Sequence, residues 1–95
     1  MRGHISRDSV VVAATGQISA NLAGEAAILN LESGVYYGLD PVGARIWRLM
    51  REPQTLAQIE SVLLVEYDVD ANQCAVDLLA LVEALADEGL VDIKV

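Results

Sequence analysis

The first forty residues show the short apolar runs and turn-forming residues that are typical of β-strands. An apolar run at residues 10–14, which begins with three valines, predicts a first strand that ends at the Thr-Gly pair of residues 15–16. Apolar runs at residues 26–31 and 35–39 predict a second and a third strand. The turn formers Glu-Ser-Gly at residues 32–34 lie between these two strands, which are therefore expected to form a β-hairpin.

The third predicted strand places its side chains alternately on the two faces of the sheet. Val35, Tyr37 and Leu39 therefore share one face, and Tyr36 and Gly38 lie on the other. We expect one tyrosine to pack in the core, while the other either stacks on a ligand or packs on the surface. An aromatic strand that turns directly into a helix favours a peptide-binding edge over a catalytic pocket in so small a chain.

Helical spacing of the apolar residues begins after residue 40. Asp40 followed by Pro41 is typical of a helix start, because Asp caps a free amide and Pro has no amide to leave unpaired. This first helix is predicted to end near residue 51. Thr55 and Gln58 have the spacing of a capping box, which predicts the start of a second helix.

A third helix is predicted to start at Asp70 and to end at Gly89, which suits a left-handed C-terminal cap. Residues 90–95 predict a short final strand. The order of strands, helices and strand predicts an α+β fold. We expect a winged-helix-turn-helix-like architecture, with an N-terminal three-stranded antiparallel sheet followed by three helices and a short C-terminal strand.

The length of 95 residues predicts a single domain over residues 1–95. An apolar fraction of 54% favours a folded chain over a disordered one. No apolar run approaches the ~18 residues of a membrane-spanning helix, and the first thirty residues lack the pattern of a secretory signal. The single cysteine cannot form an internal disulfide. We therefore expect a cytoplasmic protein with no membrane partner.

The formal net charge of −8 is unevenly distributed. From residue 52 onward there are ten acidic residues and one basic residue, and neither of the last two predicted helices contains a cation. Because affinity for phosphates depends on Lys and Arg, we reject nucleic-acid binding. Arg45, Arg48 and Arg51 share the first predicted helix, where they form either a solvated face or a docking surface for a partner.

Few residues offer catalytic or metal-binding chemistry. His4 and Cys74 are the single histidine and cysteine, and we expect a disordered tail for the first and a small buried side chain for the second. We predict no metal site, cofactor or catalytic residue. Asp77 interrupts an apolar stretch, so it either lies exposed at the edge of the stripe or accepts hydrogen bonds at the rim of a groove. Trp47 is expected to pack in the core.

Four segments carry a resemblance to a known family. They are residues 29–47 (LNLESGVYYGLDPVGARIW), residues 67–69 and 77–81 (YDV and DLLAL), and residues 85–91 (LADEGLV). Over residues 6–93 the chain resembles the PqqD-like family of small peptide chaperones. These proteins are the recognition elements for precursors of ribosomally made, modified peptides (RiPP recognition elements). The chain is most similar to the stand-alone leader-binding subunits of lasso-peptide systems.

This resemblance implies a non-enzymatic adaptor that binds the leader of a precursor peptide. In the family, the leader adds as a strand beside the third strand, in the cleft against the third helix, which is β-augmentation. The open edge implied here comprises Val35, Tyr36, Tyr37, Gly38 and Leu39, and the opposite wall comprises Cys74, Asp77, Leu78 and Leu81. The implied partners are the leader and a processing enzyme, a leader peptidase in a lasso pathway. The acidic second half suits a leader with Lys or Arg.

Three alternatives stay open at this stage. A recognition subunit for a radical enzyme in pyrroloquinoline quinone synthesis, or in the synthesis of another peptide product, would use the same scaffold. An acidic protein–protein interaction module of a regulator would use helices derived from a DNA-binding ancestor. A small thiol enzyme would depend on Cys74.

Overall fold

The computed structural model of the protein describes residues 5–22 and 24–94. His4 lies outside the described residues. In chain order the elements are β1 (Val10–Ala13), β2 (Gln17–Leu22), β3 (Glu25–Asn30), β4 (Tyr36–Leu39), α1 (Pro41–Leu49), β5 (Gln54–Thr55), α2 (Leu56–Glu66), α3 (Ala71–Asp87) and β6 (Val91–Lys94). The predicted α+β class and the three helices with a C-terminal strand are confirmed. Among the described residues, no helix has the length and apolar character needed to span a membrane.

The strands form two three-stranded antiparallel sheets. The first has the order β5-β1-β6, and the second has the order β2-β3-β4. In the second sheet, Ile28 of β3 lies opposite Tyr37 of β4, as expected for the predicted hairpin. The first predicted strand, β1, does not join this hairpin, because it pairs with β6 and β5 instead.

The third strand of the hairpin sheet is β2, which the sequence did not predict. Its apolar Ile18 lies opposite Leu29 on the solvent side, whereas Ser19 lies opposite the buried Ile28. The apolar side chain therefore points away from the core, so β2 lacks the pattern of a half-buried strand. β2 is therefore stabilised by backbone pairing with β3 and not by burial of its own apolar side chains.

One hydrophobic cluster joins the sheets to the helices. Trp47 is 2% exposed and packs in this cluster, which confirms its predicted place in the core. Buried residues of β1, β3, β4, all three helices and β6 contribute to the cluster, and its larger members are Val11, Ile28, Leu39, Ile46, Trp47, Met50, Leu56, Ile59, Leu63, Leu78, Val82, Leu85, Leu90 and Val91.

The predicted helix ends are confirmed by their hydrogen bonds. Asp40 accepts a bond from the amide of Gly43 at 2.7 Å, and Thr55 forms the capping box with Gln58. Gly89 follows α3 with a φ of 72°, in the left-handed region that favours glycine. These ends fix where each helix starts and stops relative to the strands beside it.

Asn30 connects the β3–β4 turn to the end of α3. Its side-chain nitrogen donates to the carbonyl oxygen of Glu88 at 2.9 Å. Its side-chain oxygen accepts from the backbone amides of Glu32 at 2.9 Å and Ser33 at 3.2 Å. One amide side chain thus shapes the turn and holds it against α3.

Arg45 of α1 and Glu66 of α2 form an ion pair between the two helices. The guanidinium donates to both carboxylate oxygens, at 2.8 Å and 2.7 Å. This hydrogen bonding, followed by the positive charges of Arg45 and Arg48, lowers the pKa of Glu66 from its usual 4.5, against the opposing effect of burial.

Replacing Asn30 with Ala should lower the free energy of unfolding by about 1–3 kcal/mol, because it removes three hydrogen bonds, one of them between distant parts of the chain. Chemical denaturation followed by circular dichroism measures this change. The matched control is Asn72→Ala, since Asn72 is exposed in the first turn of α3. Equal stability of the two variants would show that the Asn30 contacts contribute nothing.

The Arg45–Glu66 pair should make stability depend on pH. The folded-state pKa of Glu66 lies below its ordinary value of 4.5, so the stabilisation is present above pH 4.5 and is lost as the pH falls through the lowered pKa. Glu66→Gln should therefore flatten the fall in unfolding free energy from about pH 5 downward. Glu52→Gln, at an exposed carboxylate, is the control. Parallel pH curves for wild type and Glu66→Gln would contradict this prediction.

Candidate functional site

A groove of about 600 Å³ lies between the hairpin sheet and α3. One wall contains the side chains of Tyr37 and Leu39, which the β4 alternation directs to the core side of the sheet. The other wall is the face of α3 that carries Cys74, Asp77, Leu78 and Leu81. The structure therefore brings together two segments that the sequence separates by more than thirty residues.

The open edge of β4 forms one margin of this groove. Within the described residues β4 pairs with β3 alone, so its other side has no neighbouring strand. The amide of Asn30 donates to the carbonyl of Val35 at 2.9 Å, so this carbonyl points towards β3. Backbone polar groups alternate in direction along an antiparallel strand, so those of Tyr36 and Gly38 point to the open edge.

Tyr36 and Val35 do not line the groove, although the sequence placed both in the candidate site. Tyr36 is 66% exposed and lies on the outer face of the sheet. There it forms an apolar row across the three strands, because Tyr36 lies opposite Leu29 and Leu29 lies opposite Ile18. Val35 precedes β4 and lies in the connection from β3. Tyr37 is the tyrosine that packs against the core.

Several groove residues were missed by the sequence analysis. Val42 and Gly43 approach from the first turn of α1, and Tyr67 and Val69 approach from the segment between α2 and α3. Val42 belongs to the apolar spacing of α1, yet the structure exposes it beside the groove. Val69 is 48% exposed in a loop, and no periodic pattern could have distinguished it from other loop residues.

The polar lining of the groove is acidic. Asp40, Asp70 and Asp77 line it, and no Lys, Arg or His is among the described residues that do so. Asp40 and Asp70 are the N-caps of α1 and α3, and each accepts a hydrogen bond from a backbone amide of its own helix. Asp77 is exposed on α3 and accepts from the side-chain amide of Gln73 at 2.9 Å.

Cys74 is buried in the α3 wall. Burial raises the pKa of its thiol, and the negative charges of Glu60 and Asp77 raise it further. A thiol in such surroundings is a weak nucleophile at neutral pH, because the thiolate is the reactive form. No group of three or more His, Cys, Asp or Glu side chains that could hold a metal ion occurs among the described residues.

The predicted docking arginines lie on α1 and just beyond its end, outside the groove lining. Arg45 is held by Glu66, so its charge is already paired. Arg48 and Arg51 are exposed. Their role in docking a partner stays a prediction.

Comparison with known proteins gives three matches. The family model for coenzyme PQQ synthesis protein D (PqqD) matches residues 25–91, which is more than half of the chain. A solved structure described as TbiB1 in complex with the TbiA(beta) leader peptide is 34% identical. The match covers 85% of this chain and 94% of TbiB1, with a TM-score of 0.79.

A second solved structure, a lasso peptide synthetase B1 complexed with the leader peptide, is 23% identical and shares the fold. This match covers 86% of this chain and 96% of the other, with a TM-score of 0.76. No curated protein sequence matches the chain significantly. The family match spans the β3–β4 hairpin, all three helices and the start of β6, and it includes every described residue that lines the groove. The chain belongs to the PqqD family and has the fold of its RiPP recognition elements.

Proposed function

We propose that the protein is a non-enzymatic adaptor that binds the leader of a ribosomally made precursor peptide by β-augmentation. The observation that carries this proposal is the open edge of β4 beside an apolar groove against α3. An extended peptide beside β4 would bond to the backbone groups of Tyr36 and Gly38. Every second side chain of that peptide would enter the groove.

The dimensions of the groove suit this occupant. Its volume of about 600 Å³ lies within the range of roughly 300–1,000 Å³ that is usual for ligand sites. Tyr37 and Leu81, which are half-buried, supply apolar surface, and Val42 and Val69 are exposed at its margins. Burial of these side chains by a leader would contribute affinity, and β4 would supply directional hydrogen bonds. Similarity to TbiB1, which is described in complex with a leader peptide, supports a leader peptide as the occupant.

The bound leader would be presented to a processing enzyme in the cytoplasm, which we propose is the leader peptidase of a lasso pathway. The adaptor contributes effective concentration and orientation, because holding the precursor beside the enzyme makes their encounter intramolecular. Arg48 and Arg51, with Arg45 in its ion pair with Glu66, are the proposed docking surface. A recognition subunit for a radical enzyme is the alternative that the PqqD family match favours.

Leader binding can be tested by anisotropy of a fluorescently labelled leader peptide, taken from the short reading frame nearest the gene. We expect saturable binding in the micromolar range or tighter, and loss of binding when the leader sequence is scrambled. The labelled TbiA(beta) leader is a second probe. If neither probe binds to a folded sample, the adaptor proposal is overturned.

Gly38→Pro should weaken leader binding while the fold survives. Proline removes an amide that points to the open edge, and it is tolerated on edge strands where that amide faces solvent. An added Cβ at Gly38 would meet nothing within 4 Å. One lost backbone hydrogen bond costs about 1 kcal/mol, and the ring also obstructs the added strand, so we expect at least about fivefold weaker affinity.

The matched control is Ser19→Pro on the opposite edge of the same sheet. The register of β2 with β3 directs the Ser19 amide to the outer edge of β2, as the Gly38 amide is directed on β4. Ser19→Pro should therefore keep wild-type affinity. Equal effects of the two substitutions would place the leader somewhere other than the β4 edge.

Alkylation of Cys74 discriminates between an adaptor and a thiol enzyme. The raised pKa and the burial of the thiol predict reaction with iodoacetamide at least about tenfold slower than that of glutathione at neutral pH. The rate should rise with pH as the thiolate forms, and bound leader should lower it further. Mass spectrometry follows the modification. Fast reaction at neutral pH would instead indicate an activated thiol.

A further inference from the structure

Resting on the proposed function, we infer that the groove selects leaders with a Lys or Arg side chain directed at Asp77. The cation belongs to the same extended segment whose apolar side chains fill the groove. The basis is the charge of the groove itself. Three carboxylates line it, and no cationic side chain is among its described lining residues.

The three carboxylates are not equivalent. Asp40 bonds the amide of Gly43 at 2.7 Å, and Asp70 bonds the amide of Gln73 at 2.9 Å. Each caps a helix N-terminus, whose partial positive charge offsets the negative charge of the cap. Asp77 lies in the second turn of α3, away from that terminus, and its side-chain bond comes from the uncharged amide of Gln73. Its charge is therefore the least compensated of the three.

The position of Asp77 suits an amphipathic cation. It lies on α3 between Cys74 and Leu81, so apolar surface adjoins its carboxylate on both sides along the helix. The stem of a Lys or Arg side chain could pack on this surface while the charged group reaches the carboxylate. The low polarity of the wall strengthens the attraction compared with a fully solvated pair. The same charge contributes to the raised pKa of Cys74, so it acts on the groove wall.

The strand geometry limits where the cation can lie in the leader. Side chains of an added strand alternate between the groove and the outer face of the sheet. A cation directed at Asp77 must therefore share the face of the apolar anchors, at an even separation from them. A cation at an odd separation would point to the outer face, beside Tyr36.

The test is a selection from a displayed library of random peptides, each about as long as one long strand (~10 residues), on immobilised wild-type protein. Asp77→Asn and Asp92→Asn are selected in parallel. The two substitutions remove the same charge, but Asp92 is exposed on β6, outside the groove lining. Asn keeps hydrogen-bonding groups at position 77, and circular dichroism verifies that each variant is folded.

We expect wild type and Asp92→Asn to enrich Lys or Arg at even separations from apolar residues, and Asp77→Asn to lose this preference. A selected peptide should bind Asp77→Asn roughly threefold more weakly than wild type, as expected for one partly exposed charge pair. Its Lys→Gln counterpart should bind the two proteins equally.

The same cation preference in all three selections would overturn this inference, since it would reflect overall charge alone. Enrichment of peptides with no cation preference would also overturn it but leave the adaptor proposal intact. Failure to enrich any peptide on folded wild type would count against the adaptor itself.

Discussion

The side chain of Asn30 is the contact on which the two walls of the groove depend. It fixes the β3–β4 turn through two backbone amides and bonds the carbonyl of Glu88 after α3. Hydrophobic attraction is non-directional, so it favours contact between the sheet and α3 without specifying how the two are aligned. The directional bond from Asn30 to Glu88 specifies that alignment at the end of α3, while the packed side chains of the core set the separation.

The open edge of β4 conflicts with the usual protection of sheet edges. An unpaired strand beside apolar side chains invites pairing with other chains. Here β4 has only four residues, and it is followed at once by the capped start of α1, so the unpaired backbone is short. Val42 and Val69 are exposed apolar residues at the groove, and the proposed leader would cover them. The open edge is also the feature that the proposed β-augmentation requires.

Local chemistry explains which features were predictable. The helix starts at Asp40, Thr55 and Asp70 were predicted because a capping side chain bonds an amide within three residues. The strand β2 was not predicted, because Ile18 faces solvent and the formation of β2 depends on pairing with β3. Arg45 could not be distinguished from Arg48 by sequence, since its partner Glu66 lies on another helix.

The sequence by itself determined the three helices with their capped starts, the strands β1, β3, β4 and β6, the α+β class and the acidic net charge. These properties depend on side-chain periodicity, local capping and charge, which act over a few residues or need no geometry at all. Only the tertiary structure decided that β1 pairs outside the hairpin sheet, that Tyr37 faces the groove while Tyr36 faces outward, and that Val69 lines the groove. Each of these outcomes depends on contacts between segments that are far apart in the chain. Many such pairings are compatible with the same local sequence pattern, and only the packing of the complete core distinguishes between them.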